Sequence, residues 1–161
     1  MITLRPLCQA DIPTIKSWPH YPPEFADLDY CLRDGGWLDE YIRRAKTVIL
    51  VAWDNGTIAG FSILARDGRG GAEFRIALNP GWIGTGTGRT ILTRTLEYCF
   101  ADMTITSVRL IVRKNNPRAQ ALYSAANFRR TGECSEEVAG KMVEFFCMEI
   151  DRRTFFLEKR R

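Results

Sequence analysis

The residues best placed to do chemistry are Gly84, Gly86 and Gly88, in the run Asn79-Pro80-Gly81-Trp82-Ile83-Gly84-Thr85-Gly86-Thr87-Gly88-Arg89. A turn with so few side chains lets its backbone N–H groups approach an anion directly. A strand-like run, Glu73 to Leu78, precedes the turn and a helix-like run, Arg89 to Phe100, follows it. That helix would aim the positive end of its dipole at the same place. Together these features describe a phosphate cradle. Two common cradles fail on spacing. A P-loop needs G-x-x-x-x-G-K-[ST], and no Lys stands at the required place after Gly81 or Gly84. A dinucleotide fingerprint needs G-x-G-x-x-G, whereas here the third glycine comes one residue early and the turn lies mid-chain. For the motif alone, a glycine-rich loop chosen only for tight geometry is the plain alternative.

A second segment stands downstream: Asn116-Pro117-Arg118-Ala119-Gln120-Ala121-Leu122-Tyr123-Ser124-Ala125-Ala126-Asn127-Phe128. In this order and at this separation, the two segments resemble the signatures of the GNAT superfamily of acyl-CoA-dependent N-acetyltransferases. Ile83 to Gly88 falls on its [Q/R]-x-x-G-x-[G/A] pyrophosphate loop, and Asn116 to Phe128 on its N-x-x-A-x-x-x-Y-x-x-x-G-F segment. The resemblance covers Ile2 to Ile150. Two positions depart from it. Ile83 replaces Gln or Arg, which removes a polar side chain but leaves the backbone donors. Asn127 replaces Gly, a mild change, because Asn tolerates the left-handed conformation at a helix C-terminus.

The resemblance implies acetyl-CoA as cosubstrate and assigns residues to it. Backbone groups of Ile76, Ala77 and Leu78 would pair with the pantetheine arm as an added strand would. A bulge in that strand typically parts it from the next parallel strand. Gly84, Thr85, Gly86, Thr87, Gly88 and Arg89 would hold the pyrophosphate, although Arg89 reads equally well as a solvated first-turn residue. Asn116 would contact the pantetheine amide or cap the helix beginning at Pro117, and Ala119 belongs to the same cofactor-binding set. Tyr123 is the candidate general acid. Its phenol, with an ordinary pKa of about 10, stays protonated at neutral pH and can protonate a departing thiolate. A Tyr packed on the core from a helix face is the alternative.

The base is less sharply defined. Glu73 leads, because many family members place a Glu near this point of the strand. A solvated strand-start Glu and a water relay from the backbone are the competing readings. Asp27, Asp29 and the lone His20 are further candidates. His20, between Pro19 and Tyr21, reads first as a surface loop residue.

Composition frames these residues. At 161 residues the chain has the length of one domain, taken here as 1–150 with a charged tail, 151–161. Apolar residues at 45% and charged residues at 26% are ordinary for a soluble protein, and exclude a disordered or fibrous chain. No run approaches the ~18–20 apolar residues of a membrane helix, and the first residues do not read as a signal peptide. Cys8, Cys31, Cys99, Cys134 and Cys147 are an odd, scattered set without C-x-x-C. Reduced thiols in a cytoplasmic protein are therefore expected, with no metal site and no disulfide framework. A net charge of +4 suits a polyanionic cosubstrate as well as weak nucleic-acid contact, so it discriminates little.

The elements that must position the site follow from periodicity. Ile2 to Arg5 reads as a strand and Asp11 to Ser17 as a helix with Asp11 as its N-cap. Prolines 19, 22 and 23 make a loop, and Glu24 to Lys46 has partial helical spacing broken at Gly35-Gly36. Thr47 to Trp53 and Thr57 to Ala65 form strands around Asp54-Asn55-Gly56, a strong hairpin signal. After a turn at Asp67 to Gly71 come a strand (Ala72 to Leu78) and an amphipathic helix (Arg89 to Phe100). Ile91, Leu92, Leu96 and Cys99 share one side of that helix. Ser107 to Arg113 alternates as a strand, Pro117 to Ala126 is a helix, and Phe128 to Glu133 and Lys141 to Ile150 are the last strands. The tail reads as helix or disorder. This order agrees with the fold the resemblance implies: α/β of the α+β kind, a mixed, mostly antiparallel sheet of about seven strands with helices on both faces.

The expected function is transfer of acetyl from acetyl-CoA to a primary amine by direct attack in a ternary complex. No Cys lies in either signature segment, so no acetyl-enzyme is called for. The acceptor region is placed at Trp18 to Asp39. There Trp18, Tyr21, Phe25, Tyr30 and Trp37 mix with Glu24, Asp27, Asp29 and Asp34, a composition suited to a cationic amine or, equally, to core aromatics and solvated acids. Acceptors range from small amines and amino sugars to a protein N-terminus or lysine, and a homodimer is an admissible assembly. A catalytically silent acyl-CoA-binding module is the rival reading, opposed by Tyr123. A nucleic-acid-binding domain is the other. Arg109, Arg113, Lys114, Arg118, Arg129, Arg130 and the tail arginines cluster in part, but no recognition motif accompanies them, and no nucleic-acid or membrane partner is expected.

Overall fold

The most continuous apolar runs of the chain, β2 (Thr47–Asp54) and β3 (Thr57–Arg66), fold on each other as an antiparallel hairpin. Asn55 and Gly56 form its two-residue turn with φ of 48° and 87°. Both central residues at positive φ define a type I′ turn, whose twist matches that of the strands, which is why Asn-Gly is favoured there. The computed structural model describes residues 1–159, with the side chains of Asp27, Tyr30 and Cys31 also outside the described residues.

Seven strands form one sheet in the order β1-β2-β3-β4-β5-β7-β6. Besides the hairpin these are β1 (Ile2–Pro6), β4 (Gly71–Leu78), β5 (Ser107–Arg113), β6 (Arg129–Val138) and β7 (Lys141–Asp151). The helices are α1 (Asp11–Lys16), α2 (Trp37–Ile42), α3 (Thr87–Phe100), α4 (Pro117–Ala125) and α5 (Arg152–Lys159), with 3₁₀ turns at Pro23–Leu32 and Pro80–Trp82. β4 pairs with β5 in parallel over Gly71–Glu73 only, while the β1–β2, β2–β3, β5–β7 and β6–β7 ladders are antiparallel. The sheet is thus mixed and mostly antiparallel, as the element order implies.

The chain divides into two compact units. The first comprises Met1–Ala65 and Arg75–Glu97, the second Arg66–Phe74 and Tyr98–Arg161. In the first, Ile15, Trp18, Leu32, Leu38, Val51, Phe61 and Ile63 make the core, with Trp18 and Trp37 against Phe61 at ring-centroid distances of 6.1 and 5.7 Å. In the second, the alternation of β5 buries Val108, Leu110 and Val112 and leaves Arg109 exposed. Phe74, Phe100, Tyr123, Phe128, Phe145 and Phe155 are the aromatic residues of that unit's buried set.

Three departures from the sequence reading stand out, and the tail takes one of its two expected states. Asp11 does not cap α1. Ala10 holds that position without a side-chain bond, and the Asp11 carboxylate instead accepts from both terminal nitrogens of Arg5 (2.7 and 2.9 Å) and from the Cys8 amide (2.8 Å). The Arg5 guanidinium, chiefly, holds this buried carboxyl well below the usual carboxylate range. α3 begins two residues early, at Thr87. β6 runs on to Val138, because a second two-residue turn, Ala139 and Gly140 at φ of 51° and 81°, joins it to β7. The tail is helix through Lys159, held by Phe155, whose ring lies 5.3 Å from Phe100.

Candidate functional site

In the first unit, the chain leaves β4 at Leu78 and is pinned at once by Asn79. The Asn79 amide donates to Ala59 O (2.9 Å), and its buried side chain donates to Ile58 O (3.0 Å) and accepts weakly from the Gly81 amide (3.5 Å). These bonds tie the start of the glycine turn to β3. Gly60 on β3 admits no side chain, since an added Cβ would stand 2.8 Å from Ala77 O and 2.9 Å from Ile91 Cδ1. The turn therefore rests on a close-packed corner of β3, β4 and α3. Asn79 was not among the residues singled out as functional. The signal available was its type, an Asn that can bond the local backbone directly before Pro-Gly.

The turn itself presents donors. Gly84 and Gly86 both have φ of 84°, a conformation that favours glycine. Thr85 Oγ1 bonds Trp82 O (2.5 Å) and shares a hydrogen bond with Thr87 Oγ1 (2.8 Å), which directs both hydroxyls inward to the turn. Among the described residues, nothing accepts from the amides of Gly84, Gly86, Thr87, Gly88 and Arg89. Gly84, Thr85, Gly86 and Arg89 are exposed, Gly88 half-buried and Thr87 buried. Open donors at the start of a fourteen-residue helix suit a pyrophosphate. Arg89 sits in the first turn of α3, as either of its readings requires.

Strand parity sorts Ile76, Ala77 and Leu78. Because the Asn79 amide faces β3, alternation turns Ala77 toward β3 and the backbone groups of Ile76 and Leu78 to the other edge. The ladder to β5 ends at Glu73, so that edge of Ile76 and Leu78 has no β5 rung. The carbonyl of Leu78 accepts from the Tyr21 hydroxyl at 2.6 Å.

In the second unit, Asn116 caps α4. Its Oδ1 accepts from the Ala119 amide (3.1 Å), and Pro117 takes the first helical position. This is one of the two roles foreseen for Asn116, and it commits the Ala119 amide to the cap. α4 ends in a Schellman motif: Phe128 N donates to Tyr123 O (3.0 Å) and Asn127 N to Ser124 O (3.0 Å), with Asn127 left-handed at φ 73°. That motif lays Phe128 against Tyr123, ring centroids 5.8 Å apart, while Phe74 meets Tyr123 edge-on at 6.3 Å. Tyr123 is consequently buried and its ring orientation fixed from two sides. Glu73, half-buried, stands opposite Arg109 at the last rung between β4 and β5.

The expected acceptor segment resolves into core and ion pairs. Trp18 and Tyr21 are core residues, and Phe25 and Trp37 pack partly buried against them. Asp29 is gripped by Arg33 through two bonds of 2.8 Å and bonded to His20 Nδ1 at 2.8 Å. Arg33 is the main cause that holds its carboxyl well below the ordinary value. Lys16 bridges Asp34 (2.9 Å) and Asp39 (2.7 Å). His20 itself is exposed and Glu24 is exposed; the side chains of Asp27 and Tyr30 lie outside the described residues. Arg75, absent from the sequence reading, packs by its guanidinium on Tyr41 and Trp37. Among the described residues, no group of three or more His, Cys, Asp or Glu is arranged to hold a metal ion.

With this geometry in view, a family model described as the acetyltransferase (GNAT) family matches residues 12–128, well over half the chain. The chain belongs to that family. A spermidine N(1)-acetyltransferase of Vibrio cholerae is 36% identical over 66 residues, 41% of this chain and 38% of that protein. An uncharacterized N-acetyltransferase of Mycobacterium bovis is 33% identical over 94 residues, 58% of this chain and 60% of that one. Both matches span less than two thirds of the relative's length. A crystal structure of spermidine N-acetyltransferase from Vibrio cholerae in complex with CoA and spermine superposes with a TM-score of 0.78 at 23% identity, over 96% of this chain and 98% of that one. The two share the GNAT fold.

Proposed function

We propose that this GNAT chain, as one domain over residues 1–150, transfers acetyl from acetyl-CoA to a primary amine in a ternary complex. The observation that carries the proposal is the set of amides of Gly84, Gly86, Thr87, Gly88 and Arg89, open at the N-terminus of α3 in a turn pinned to β3 by Asn79. Those amides would hold the pyrophosphate in a turn braced by the Thr85 and Thr87 hydroxyls, and the outward edge of Ile76 and Leu78 would take the pantetheine arm. Acetyl-CoA supplies an acetyl group activated as a thioester. The chain's residues supply the proton transfers.

Glu73 removes the proton that the amine carries at neutral pH, which frees the nitrogen lone pair for the carbonyl carbon. As the C–N bond forms and the C–S bond breaks, Tyr123 gives its phenolic proton to the leaving sulfur, and the phenolate regains a proton as the nitrogen sheds its second one to leave the neutral amide. The pinned ring of Tyr123 favours this role, since a general acid must hold its proton in one direction. No cysteine nucleophile enters the scheme. A cytoplasmic setting belongs to the same proposal; no helix among the described residues is long and apolar enough to cross a membrane.

The relatives named for spermidine bring polyamines into the range of acceptors to be tried. The test is purified protein with acetyl-CoA and a panel of primary amines, read as free thiol together with the mass of the N-acetylated product. Stoichiometric thiol and acetylamide support the proposal. Thiol release without acetylamide would indicate hydrolysis and contradict it.

A further inference from the structure

The positive charge of the chain is not evenly spread. Residues 152–161 hold five of its twenty-three Lys and Arg and one of its nineteen Asp and Glu. Eighteen of each sign remain in residues 1–151, so the whole net charge of +4 belongs to α5 and the two arginines that follow it. A solvated basic run would account for the charge alone. The same run, however, carries Phe155, Phe156 and Leu157.

The way α5 is fastened turns apolar side chains outward. Asp151 caps the helix by accepting from the Thr154 amide (2.7 Å), and Phe155 is buried beside Phe100. Arg152 ties the start of α5 to the loop after α3, donating to Asp102 O (2.6 Å) and Ile105 O (3.0 Å). With Phe155 turned inward, Phe156 and Leu157 remain 38% and 50% exposed. Met103, in the loop that Arg152 grips, is 77% exposed. Its sulfur lies 3.8 Å from an Arg152 nitrogen, and the Phe156 ring centroid lies 5.6 Å from the Arg152 guanidinium carbon. Met103 and Phe156 thus flank one guanidinium and form one patch with Leu157. The exposed Arg153 precedes Phe156 and Leu157 by three and four positions, which places it on their face of the helix.

An occupant of this patch must be anionic and must also receive apolar side chains. A second copy packed about a two-fold axis would set +4 against +4, because such a contact pairs the patch with itself. A nucleic acid would match the charge but leave Leu157 and Met103 without a counterpart. An anionic bilayer offers both, a charged headgroup layer and an acyl boundary just beneath it. The expectation of no membrane partner answers to the lack of a spanning run, which a helix lying in the interface does not need.

We infer that α5 and the Met103 loop form a docking surface for an anionic membrane, with Phe156, Leu157 and Met103 entering the boundary between headgroups and acyl chains. The attraction is that of net charge within a Debye length of the surface, so it needs no uncommitted donor; Arg152 contributes its charge while its nitrogens serve backbone carbonyls. Apolar insertion and the basic run are each marginal anchors, and together they give a reversible peripheral contact. The surface lies wholly in the second unit and is independent of the acetyl-transfer reading.

Sedimentation of the full chain with vesicles tests the surface. One set is phosphatidylcholine alone; the other carries about one third phosphatidylserine, each at ~0.1 M and ~0.5 M salt. A partition coefficient at least about 10-fold higher on the anionic vesicles, lost at the higher salt, is expected. Arg153→Glu should lower that coefficient about 10-fold or more, and Leu157→Ser and Met103→Ser about 3–10-fold each. Both apolar side chains are at least half exposed, so these two variants should melt as the parent does, which establishes that they are folded. Equal partition on the two vesicle sets, or none on either, overturns the inference. Partition that Arg153→Glu lowers but Leu157→Ser and Met103→Ser leave unchanged also overturns it, since a plain polyanion site behaves that way. A single-stranded oligonucleotide bound more tightly than the anionic vesicles would assign the surface to nucleic acid instead.

Discussion

Tyr123 owes its setting to its neighbours in sequence. The Schellman motif that ends α4 requires a left-handed residue, Asn127 supplies it, and Phe128 then closes on the ring. Tyr123→Phe keeps both ring contacts and removes one oxygen. Loss of a general acid should lower kcat by roughly 10²–10⁴ while acetyl-CoA affinity holds, and acyl donors with better leaving groups should suffer less. Full turnover in this variant, where chemistry limits the rate, would remove Tyr123 from the mechanism. Glu73→Gln examines the other proton. The rate near neutral pH should fall about 10²-fold and recover in part at higher pH, where free amine accumulates. An unaltered pH–rate profile would assign the proton to a water relay. Other residues were beyond sequence reading because their roles come from long-range partners. Nothing local announces that Asp29, paired with Arg33 four positions on, will also meet His20, or that Arg75 will find Tyr41, thirty-four positions away.

Among the elements, the glycine turn and α3 carry the largest claim. Gly84 and Gly86 are at positive φ, so a substitution at Gly86 would strain the backbone whether or not an anion binds there. Gly88 is not among the positive-φ residues and gives the cleaner probe. Gly88→Val should weaken acetyl-CoA binding at least 10-fold by titration calorimetry, because a branched side chain crowds the open amides, while the apo melting temperature changes little. Normal binding would make the turn structural only. β1 and α1 are joined by Arg5 and Asp11, and this contact has a pH signature. The folded carboxyl titrates below its unfolded value, so its stabilisation is complete above a pH of about 4 and is lost as pH falls further. Asp11→Asn should cost about 1–3 kcal/mol at neutral pH and show a smaller loss on acidification, as followed by thermal melts. Equal acid sensitivity in both proteins would place the effect elsewhere. Elements with a hydrophobic period or a strong turn were legible: the Asn55-Gly56 hairpin and β5 stand where periodicity put them, and α3 differs only at its first two residues. The end of β6 was not, because Ser135, Glu136 and Glu137 are polar residues on an edge strand with no buried face to impose alternation.

For the whole molecule, two short segments told more than composition did. Asn79 to Arg89 and Asn116 to Phe128 marked the family, and the seven-stranded order that positions them followed. The acceptor side resisted because aromatics and acids have the same composition whether they line a site or build a core, and only the partners of Trp18, Asp29 and Asp39 distinguish the two. The glycine turn holding the phosphates of acetyl-CoA is the central claim, and thermal melting with added acetyl-CoA tests it most directly. A ligand that binds only the folded state at a hundredfold excess over its Kd stabilises by about 2.7 kcal/mol, or roughly 5–10 °C for a chain of this size. A saturable rise of that order at one site per chain, reduced in Gly88→Val, is the expected result. No rise at millimolar acetyl-CoA, in folded protein free of co-purified CoA, would contradict it.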